Sequence, residues 1–306
     1  MTTTLGGKEI AQQIRNELAT GVQELLSRGG RLPGLTAVLV GEDPASQVYV
    51  GSKTRGCEEV GMIGRTLRLP ADITADALRQ AIDELNADDA VDGILIQLPL
   101  PKGLPERELL ERVDPRKDVD GFHPENVGRL WLDQPGFVSA TPAGVIELLR
   151  RNGIAMAGKH AVVVGRSNIV GKPMAGLLLR EHCTVTVCHS RTADLAAITR
   201  QADILVAAIG RAGFLGPDHV REGAVVIDVG MNRVSDRAQA EHLFSAGSAK
   251  RAAFEKNGSA LTGDVDTERV QPKASAITPV PGGVGLLTVA MVLANTLQAA
   301  RRRQGL

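Results

Sequence analysis

Tyr49 and Lys53 stand four residues apart in GEDPASQVYVGSKTRGC (41–57), and Tyr49 is the only tyrosine in the chain. A helix is expected here: Asp43 is a good N-cap, Pro44 suits the first helical position and Gly61 can end the run. On a helix the two side chains share one face. That face offers a flat ring for a planar ligand to stack on and, one turn later, a primary amine within reach of a reactive atom. The same spacing occurs where a tyrosine packs and a lysine is merely solvated, so other residues have to decide. Gln97 is the one polar residue in the apolar run GILIQLPL (93–100). A lone buried amide without partners costs on the order of 1–3 kcal/mol. Near a strand's carboxyl end, where open α/β sheets bind ligands, it could hold Lys53 or a water. Asp120, in KDVDG, is one of four acids between 114 and 125. A carboxylate there could pair two-pronged with an adjacent N–H and amino group on a heterocycle, although most acids in such a stretch are solvated or capping. In PVPGGVG (279–285) glycines could let backbone approach a ligand closely, or serve only as a tight linker.

A second constellation points to a nucleotide. GRSNIVG (165–171) matches the strict G-x-G-x-x-G pattern poorly, with Ser167 and Val170 in place of glycines. Its context is better, with the strand AVVVG before it and a helix after it. The first helical turn would present N–H groups and a positive dipole end to a phosphate, and Ser167 could add a hydroxyl donor. An NAD site usually has an acid at the end of the second strand. Here that place holds His189, Ser190 and Arg191, and Arg166 lies in the first turn. Two arginines and a hydroxyl suit an extra phosphate, which favours NADP over NAD.

The elements that must carry these residues alternate between strand and helix. Helix is expected over 6–28, from the stripe Ile10, Ile14, Leu18, Val22 and Leu25, and again over 74–86, 104–113 and 141–152. Strands are expected at 35–41, 65–70 and 93–100, while 114–130 reads as polar and turn-rich. After 160 the rhythm is more regular, with strands at 161–165, 184–190, 203–210 and 224–230, as in a Rossmann-like unit. Residues 235–260 read as a polar excursion with an amphipathic piece at 240–254, and a helix closes the chain over 286–303. The pattern predicts a parallel α/β architecture.

Length and composition agree with that class. A chain of 306 residues, 43% hydrophobic and 23% charged, suits two globular domains. Lys plus Arg equals Asp plus Glu at 35 each, which argues against a general nucleic-acid or membrane-surface binder. The start lacks a signal-peptide core, no run is expected to span a membrane, and three cysteines give no disulfide framework, so a cytoplasmic location is expected. His182-Cys183 and Cys188-His189 bracket a short strand, but their spacing fits no usual zinc pattern, so no metal is expected.

Six blocks in one order carry a resemblance: GEDPASQVYVGSK (41–53), DGILIQLPLP (92–101), KDVDGFHPENVGRL (117–130), GRSNIVGKP (165–173), VIDVGMNR (226–233) and TPVPGGVG (278–285). Along nearly its whole length the chain resembles the bifunctional methylenetetrahydrofolate dehydrogenase/cyclohydrolase family. The resemblance implies an N-terminal α/β catalytic domain (1–140 plus 286–306), a Rossmann-like NADP-binding domain (141–285) and a ligand cleft between them. It implies oxidation of methylenetetrahydrofolate with NADP, then hydrolysis to 10-formyltetrahydrofolate, in a homodimer joined through the cofactor domains. Tyr49 matches the tyrosine that stacks on the folate, Lys53 the catalytic lysine, Gln97 its partner and Asp120 the carboxylate on the pterin. Leu98, Pro281, Gly282 and Gly285 fall among the substrate positions, and Gly165, Arg166, Ser167, Ser190, Arg191 and Met231 among the cofactor positions. A monofunctional dehydrogenase would have been favoured by loss of Lys53 or Gln97, and a non-catalytic nucleotide-binding protein by loss of the whole set. The chain departs from the family pattern at Ala140, usually cysteine, at Leu286-Leu287, usually Pro-Met, and at Met231, usually isoleucine. Its 235–260 segment is longer than typical.

Overall fold

The structure, a computed structural model, describes residues 2–306. It divides into two compact α/β units. The first comprises Ala11–Ala140 with Thr288–Leu306, and the second Thr141–Leu287 with the N-terminal segment through Ile10.

The first unit is built on a three-stranded parallel sheet in the order Ile63–Leu69, Gly34–Val40, Gly93–Ile96. The central strand is buried at every position, which is why it reads as an unbroken apolar run rather than an alternating one. Helix Ala75–Ala87 starts where Thr74 accepts from Ala77 N at 3.2 Å, and it buries Leu78 and Ile82 against Val38, Ile94 and Ile96. Each such side chain contributes about 1.5–3 kcal/mol by leaving water. Helix Pro44–Glu59 is capped as its sequence predicts, with Asp43 accepting from Ser46 N at 2.7 Å and Gly61 at φ +78° just beyond its end. Its Gly56 lets Val289 and Leu293 of the closing helix come close, since an added Cβ would lie 3.2 Å from each.

Two expectations in this unit change. The third strand stops at Ile96, so Gln97 lies just past its carboxyl end rather than inside it. Gln97 N still donates to Val38 O at 2.9 Å, but Pro99 has no N–H to continue the ladder. The 114–130 stretch also contains a helix, Pro124–Trp131, with His123 as N-cap and Pro124 in the first turn.

The second unit carries a six-stranded parallel sheet in the order Thr3–Thr4, Ala276–Ile277, Val225–Asp228, Ile204–Ala207, His160–Val164, Thr184–Cys188. Four of its strands fall at the expected sites, and those expected to run through Gly165, Gly210 and Gly230 end before these glycines. Where the expected division gave 1–140 to one domain, the first residues lie on this sheet: Thr3 N donates to Ser275 O and Leu5 N to Ile277 O, both at 2.8 Å. Residues 235–260 form two helices, Arg237–Leu243 and Ala249–Asn257, in place of one amphipathic piece. Gly247 at φ +82° lies between them. The antiparallel strands Asn232–Val234 and Ala260–Thr262 close this excursion over a small core of Val234, Ala240, Leu243, Phe244 and Ala260. The closing helix Val284–Gln304 is long and apolar enough to cross a membrane by length and composition. Its Leu287, Ala290, Val292, Leu293 and Leu297 are buried in the protein.

Candidate functional site

In the first unit, helix Pro44–Glu59 buries Ser46, Val50, Lys53, Gly56 and Cys57 along one stripe. Lys53 therefore lies on the inward stripe, 8% exposed, while Tyr49 is 41% exposed beside it. Lys53 Nζ donates to Gln97 Oε1 at 3.0 Å. Gln97 in turn donates Nε2–H to Leu98 O at 2.7 Å, which aims its carbonyl oxygen at the ammonium. Burial lowers the pKa of Lys53, and the negative charge of Asp120 opposes that shift. The Asp120 carboxyl is pushed up to about 6, first by burial; Lys53 pulls it down and Asp118 pushes it up. These shifts describe an amine that gives up its proton more readily than an ordinary lysine, facing a half-buried acid that holds its proton more tightly than an ordinary aspartate.

The backbone beneath Asp120 is held from both sides. Asn295 of the closing helix donates to Val119 O at 2.8 Å and to Val138 O at 2.9 Å. Gly121 takes φ +69°, and a Cβ there would fall 2.6 Å from Val138 carbonyl carbon. Asp118, two residues before Asp120, is buried and accepts from Phe122 N, His123 N and Asn126 Nδ2 at 3.2, 2.8 and 2.9 Å. Sequence reading singled out Asp120 among four acids. The structural role of Asp118 and of buried Lys117 was missed, and their only signal is their place in KDVDG.

The second unit contains a pocket of about 460 Å³ at the end of strand His160–Val164, lined by Gly165, Arg166, Ser167, His189, Ser190 and Arg211 among others. Gly165 takes φ +136°, and a Cβ there would meet Ala208 O at 2.1 Å, so only glycine fits. Ser167 Oγ accepts from Val170 N at 3.1 Å and Gly171 N at 3.3 Å. Those two N–H groups thus close the turn, and what Ser167 offers a ligand is its own hydroxyl proton. The lining holds arginines and a histidine and no carboxylate, a composition that fits a nucleotide with an extra phosphate. Arg191 is exposed and outside this lining, its N–H donating to His189 Nδ1 at 3.1 Å. Arg211 was missed by sequence reading. It lies over the Phe214 ring at 4.2 Å and comes from the loop after the third strand of the unit, a position with no local signature.

The other expected residues of this unit lie in a separate group. Met231 is 43% exposed, and its methyl is 3.1 Å from where a Cβ on Gly285 would be. The loop bearing Pro281 and Gly282 is tied to the chain's start, with Gly7 N donating to Gly282 O at 2.9 Å. Two buried aspartates brace the region. Asp264 accepts from Ile209, Gly210 and Arg211 N–H and from Asn232 Nδ2, at 2.6 to 3.0 Å. Asp228 accepts from Gly230, Asp264 and Val265 N–H. Cys183 and Cys188 are buried, and Cys183 donates to Met156 O at 3.2 Å.

Residues 5–120 match the family model described as tetrahydrofolate dehydrogenase/cyclohydrolase, catalytic domain, and residues 139–304 the one described as its NAD(P)-binding domain. The bifunctional protein FolD of Chlorobium phaeovibrioides is 52% identical over 308 residues, covering 99% of each chain. That of Desulfovibrio desulfuricans is 54% identical over 303 residues, covering 98% of each. The crystal structure of the bifunctional enzyme FolD from Campylobacter jejuni superposes with a TM-score of 0.88 at 45% identity, covering 99% of this chain and 100% of that one. The Trypanosoma brucei methylenetetrahydrofolate dehydrogenase-cyclohydrolase, solved with NADP and an inhibitor, gives 0.88 at 38% identity, with 98% of both chains covered.

Proposed function

We infer the function from this premise: the chain belongs to the tetrahydrofolate dehydrogenase/cyclohydrolase family. It is a bifunctional enzyme of one-carbon folate metabolism that oxidises 5,10-methylenetetrahydrofolate with NADP and hydrolyses the methenyl product to 10-formyltetrahydrofolate. The observation that carries the residue assignment is the buried Lys53 ammonium held on Gln97 Oε1 at 3.0 Å beside the Asp120 carboxyl.

NADP, when bound, supplies the hydride acceptor for the first reaction. The positive charge left on the bridging carbon is spread over its two nitrogen neighbours, so no strong protein base is needed there and positioning does most of the work. Tyr49 gives the pterin a ring to stack on. Asp120 takes a pterin N–H and amino group, and Leu98, Pro281, Gly282 and Gly285 form further walls of the substrate site. Gly165, Arg166, Ser167, Ser190 and Met231 hold the cofactor, joined by Arg211; Arg191 acts from outside the pocket lining.

In the hydrolytic step water adds to the cationic carbon and gives up one proton; the bond from that carbon to one of its two nitrogens then breaks as that nitrogen is protonated and the added hydroxyl loses its proton to solvent, leaving the formyl group on the other nitrogen. Lys53, with its proton loosened by burial, takes and returns that proton, and Gln97 fixes its direction. The proposed folate unit is Ala11–Ala140 with Thr288–Leu306, and the proposed cofactor unit Thr141–Leu287 with the segment through Ile10. A homodimer through the second units is supported by the unpaired edge strand Thr184–Cys188 and by exposed Val187 and Leu179. A cytoplasmic location remains the reading of the cysteine usage.

The test is turnover of methylenetetrahydrofolate by purified protein with NADP and NAD in parallel, following methenyl and 10-formyl products separately. Both products, with NADP preferred, are expected. Absence of enzyme-dependent 10-formyl product would remove the hydrolytic role from Lys53, and absence of any turnover would leave a nucleotide-binding protein.

A further inference from the structure

Asp264 is a fully buried acid to which the reaction above gives no part. Its carboxylate is shared between two walls. On one side Oδ2 accepts from Ile209 N at 2.6 Å and Gly210 N at 3.0 Å, and Oδ1 accepts from Arg211 N at 2.8 Å. Ile209 and Arg211 line the nucleotide pocket. On the other side Oδ1 accepts from Asn232 Nδ2 at 2.9 Å. Asn232 follows Met231, an expected cofactor position that lies outside that pocket's lining. The first three donors are 53 to 55 residues from Asp264 in sequence, and Asn232 is 32 away. Asp118 differs, because all its donors lie within eight residues of it. A carboxylate filled from one stretch shapes that stretch. One filled from two stretches sets the distance between them.

The acid is itself fixed. Asp228 Oδ1 accepts from Asp264 N at 2.8 Å, and Leu215 N donates to Asp264 O at 2.9 Å. A Cβ on Gly230 would collide with the Asp264 carboxylate. The ladder between Asn232–Val234 and Ala260–Thr262 sets Asn232 opposite Thr262, just before Asp264. Four donors on two oxygens leave the carboxylate nothing to offer a ligand, so its effect on one passes through the walls it holds.

We propose that Asp264 is a positioning residue for NADP, aligning the pocket for the extra phosphate with the Met231 wall so that one extended dinucleotide meets both. The proposal rests on the assignment of Arg166, Arg211 and Met231 to the cofactor. A ligand that spans both walls gains most from their alignment, and one that touches a single wall gains little.

The experiment titrates NADP, and its fragment adenosine 2′,5′-bisphosphate, by calorimetry without folate. The proteins are the unaltered chain, Asp264→Asn, Asn232→Ala and the double variant. In Asp264→Asn the new amide turns its N–H₂ on donors, whichever way it faces. Its Kd for NADP should rise about tenfold, the size of a lost charge-assisted contact, and that for the bisphosphate less than about threefold. Asn232→Ala frees only the Met231 wall, so it should raise the Kd for NADP about threefold and leave that for the bisphosphate unchanged. The double variant should bind NADP no more weakly than Asp264→Asn, because both changes break the same link. Hydrolysis of the methenyl substrate consumes no NADP, so its kcat and KM should stay within about twofold, which also reports an intact fold. Equal weakening of NADP and bisphosphate, unchanged NADP affinity in Asp264→Asn, or additive losses in the double variant overturns the proposal. A loss of hydrolysis matching the loss of NADP affinity does so too, since it would mark a purely structural acid. If Asp264→Asn fails to fold, Asn232→Ala decides, and unchanged NADP affinity there is equally fatal. NADP failing to bind the unaltered protein would instead overturn the cofactor assignment itself.

Discussion

Lys53 and Lys117 are both buried lysines of the first unit, 8% and 2% exposed, and burial lowers the pKa of both. Their surroundings differ in one respect. Lys117 Nζ donates to Leu85 O at 2.9 Å and Asp88 O at 2.7 Å, carbonyls at the carboxyl end of helix Ala75–Ala87, the second of which also accepts from Val91 N at 3.1 Å. Lys53 donates to Gln97 Oε1 and to no second acceptor among the described residues. The neighbouring acids repeat the contrast. Asp118 is saturated by three N–H donors, whereas Asp120 is desolvated beside a cation. A buried charge whose hydrogen-bonding capacity is filled by backbone serves the fold. One left with capacity to spare, next to a group of opposite sign, is available to a substrate.

The largest effect expected from this contrast is at Lys53. Lys53→Met should lower 10-formyl production about 10²–10⁴-fold, the range of a lost acid–base group, while methenyl production stays within about tenfold. Equal loss of both activities in a folded protein that still binds folate would end the division of labour. Lys117→Met should do the reverse. It removes the side-chain donor from Leu85 O and one of two donors from Asp88 O, at about 1–3 kcal/mol, so thermal stability falls by several degrees while kcat per folded molecule is kept. A Lys117 variant that loses hydrolysis without losing stability would break the comparison.

The acids give a finer test. Asp120→Asn should raise the folate KM about tenfold, because an amide presents the wrong group to a pterin N–H. It should also change stability with a predictable sign. A carboxyl held near 6 in the folded state binds its proton more tightly there than in the unfolded chain. The native protein is thereby penalised as pH rises from about 4 to about 6, and above that the variant should melt higher than the parent. Asp118→Asn should melt lower, since its amide N–H₂ would confront donors. With the aspartate in place, kcat/KM for the folate should fall below about pH 6 as Asp120 takes up its proton. The smallest effect belongs to the cofactor pocket. Arg166→Ala and Arg211→Ala should each raise the KM for NADP about fivefold to tenfold and that for NAD less, whereas exposed Arg191→Ala should change either by less than about threefold.

The sequence by itself determined the α/β alternation, the helix bearing Tyr49 and Lys53, the glycine turn at 165 and the family blocks. Each is encoded locally, by caps such as Asp43-Pro44, by period, or by a turn that accepts only glycine. Tertiary structure alone decided the rest. Lys53 turned inward because its helix shares its buried stripe with Val50, Gly56 and Cys57, a fact that depends on what packs against that face. Gln97 moved from strand interior to strand end because the ladder stops before Pro99. Arg211 reached the nucleotide pocket through a loop braced by Asp264, 53 residues away in sequence. Thr3–Thr4 joined a sheet whose neighbouring strand lies near the other end of the chain. These placements are set by partners distant in sequence, and no local pattern of side chains records them.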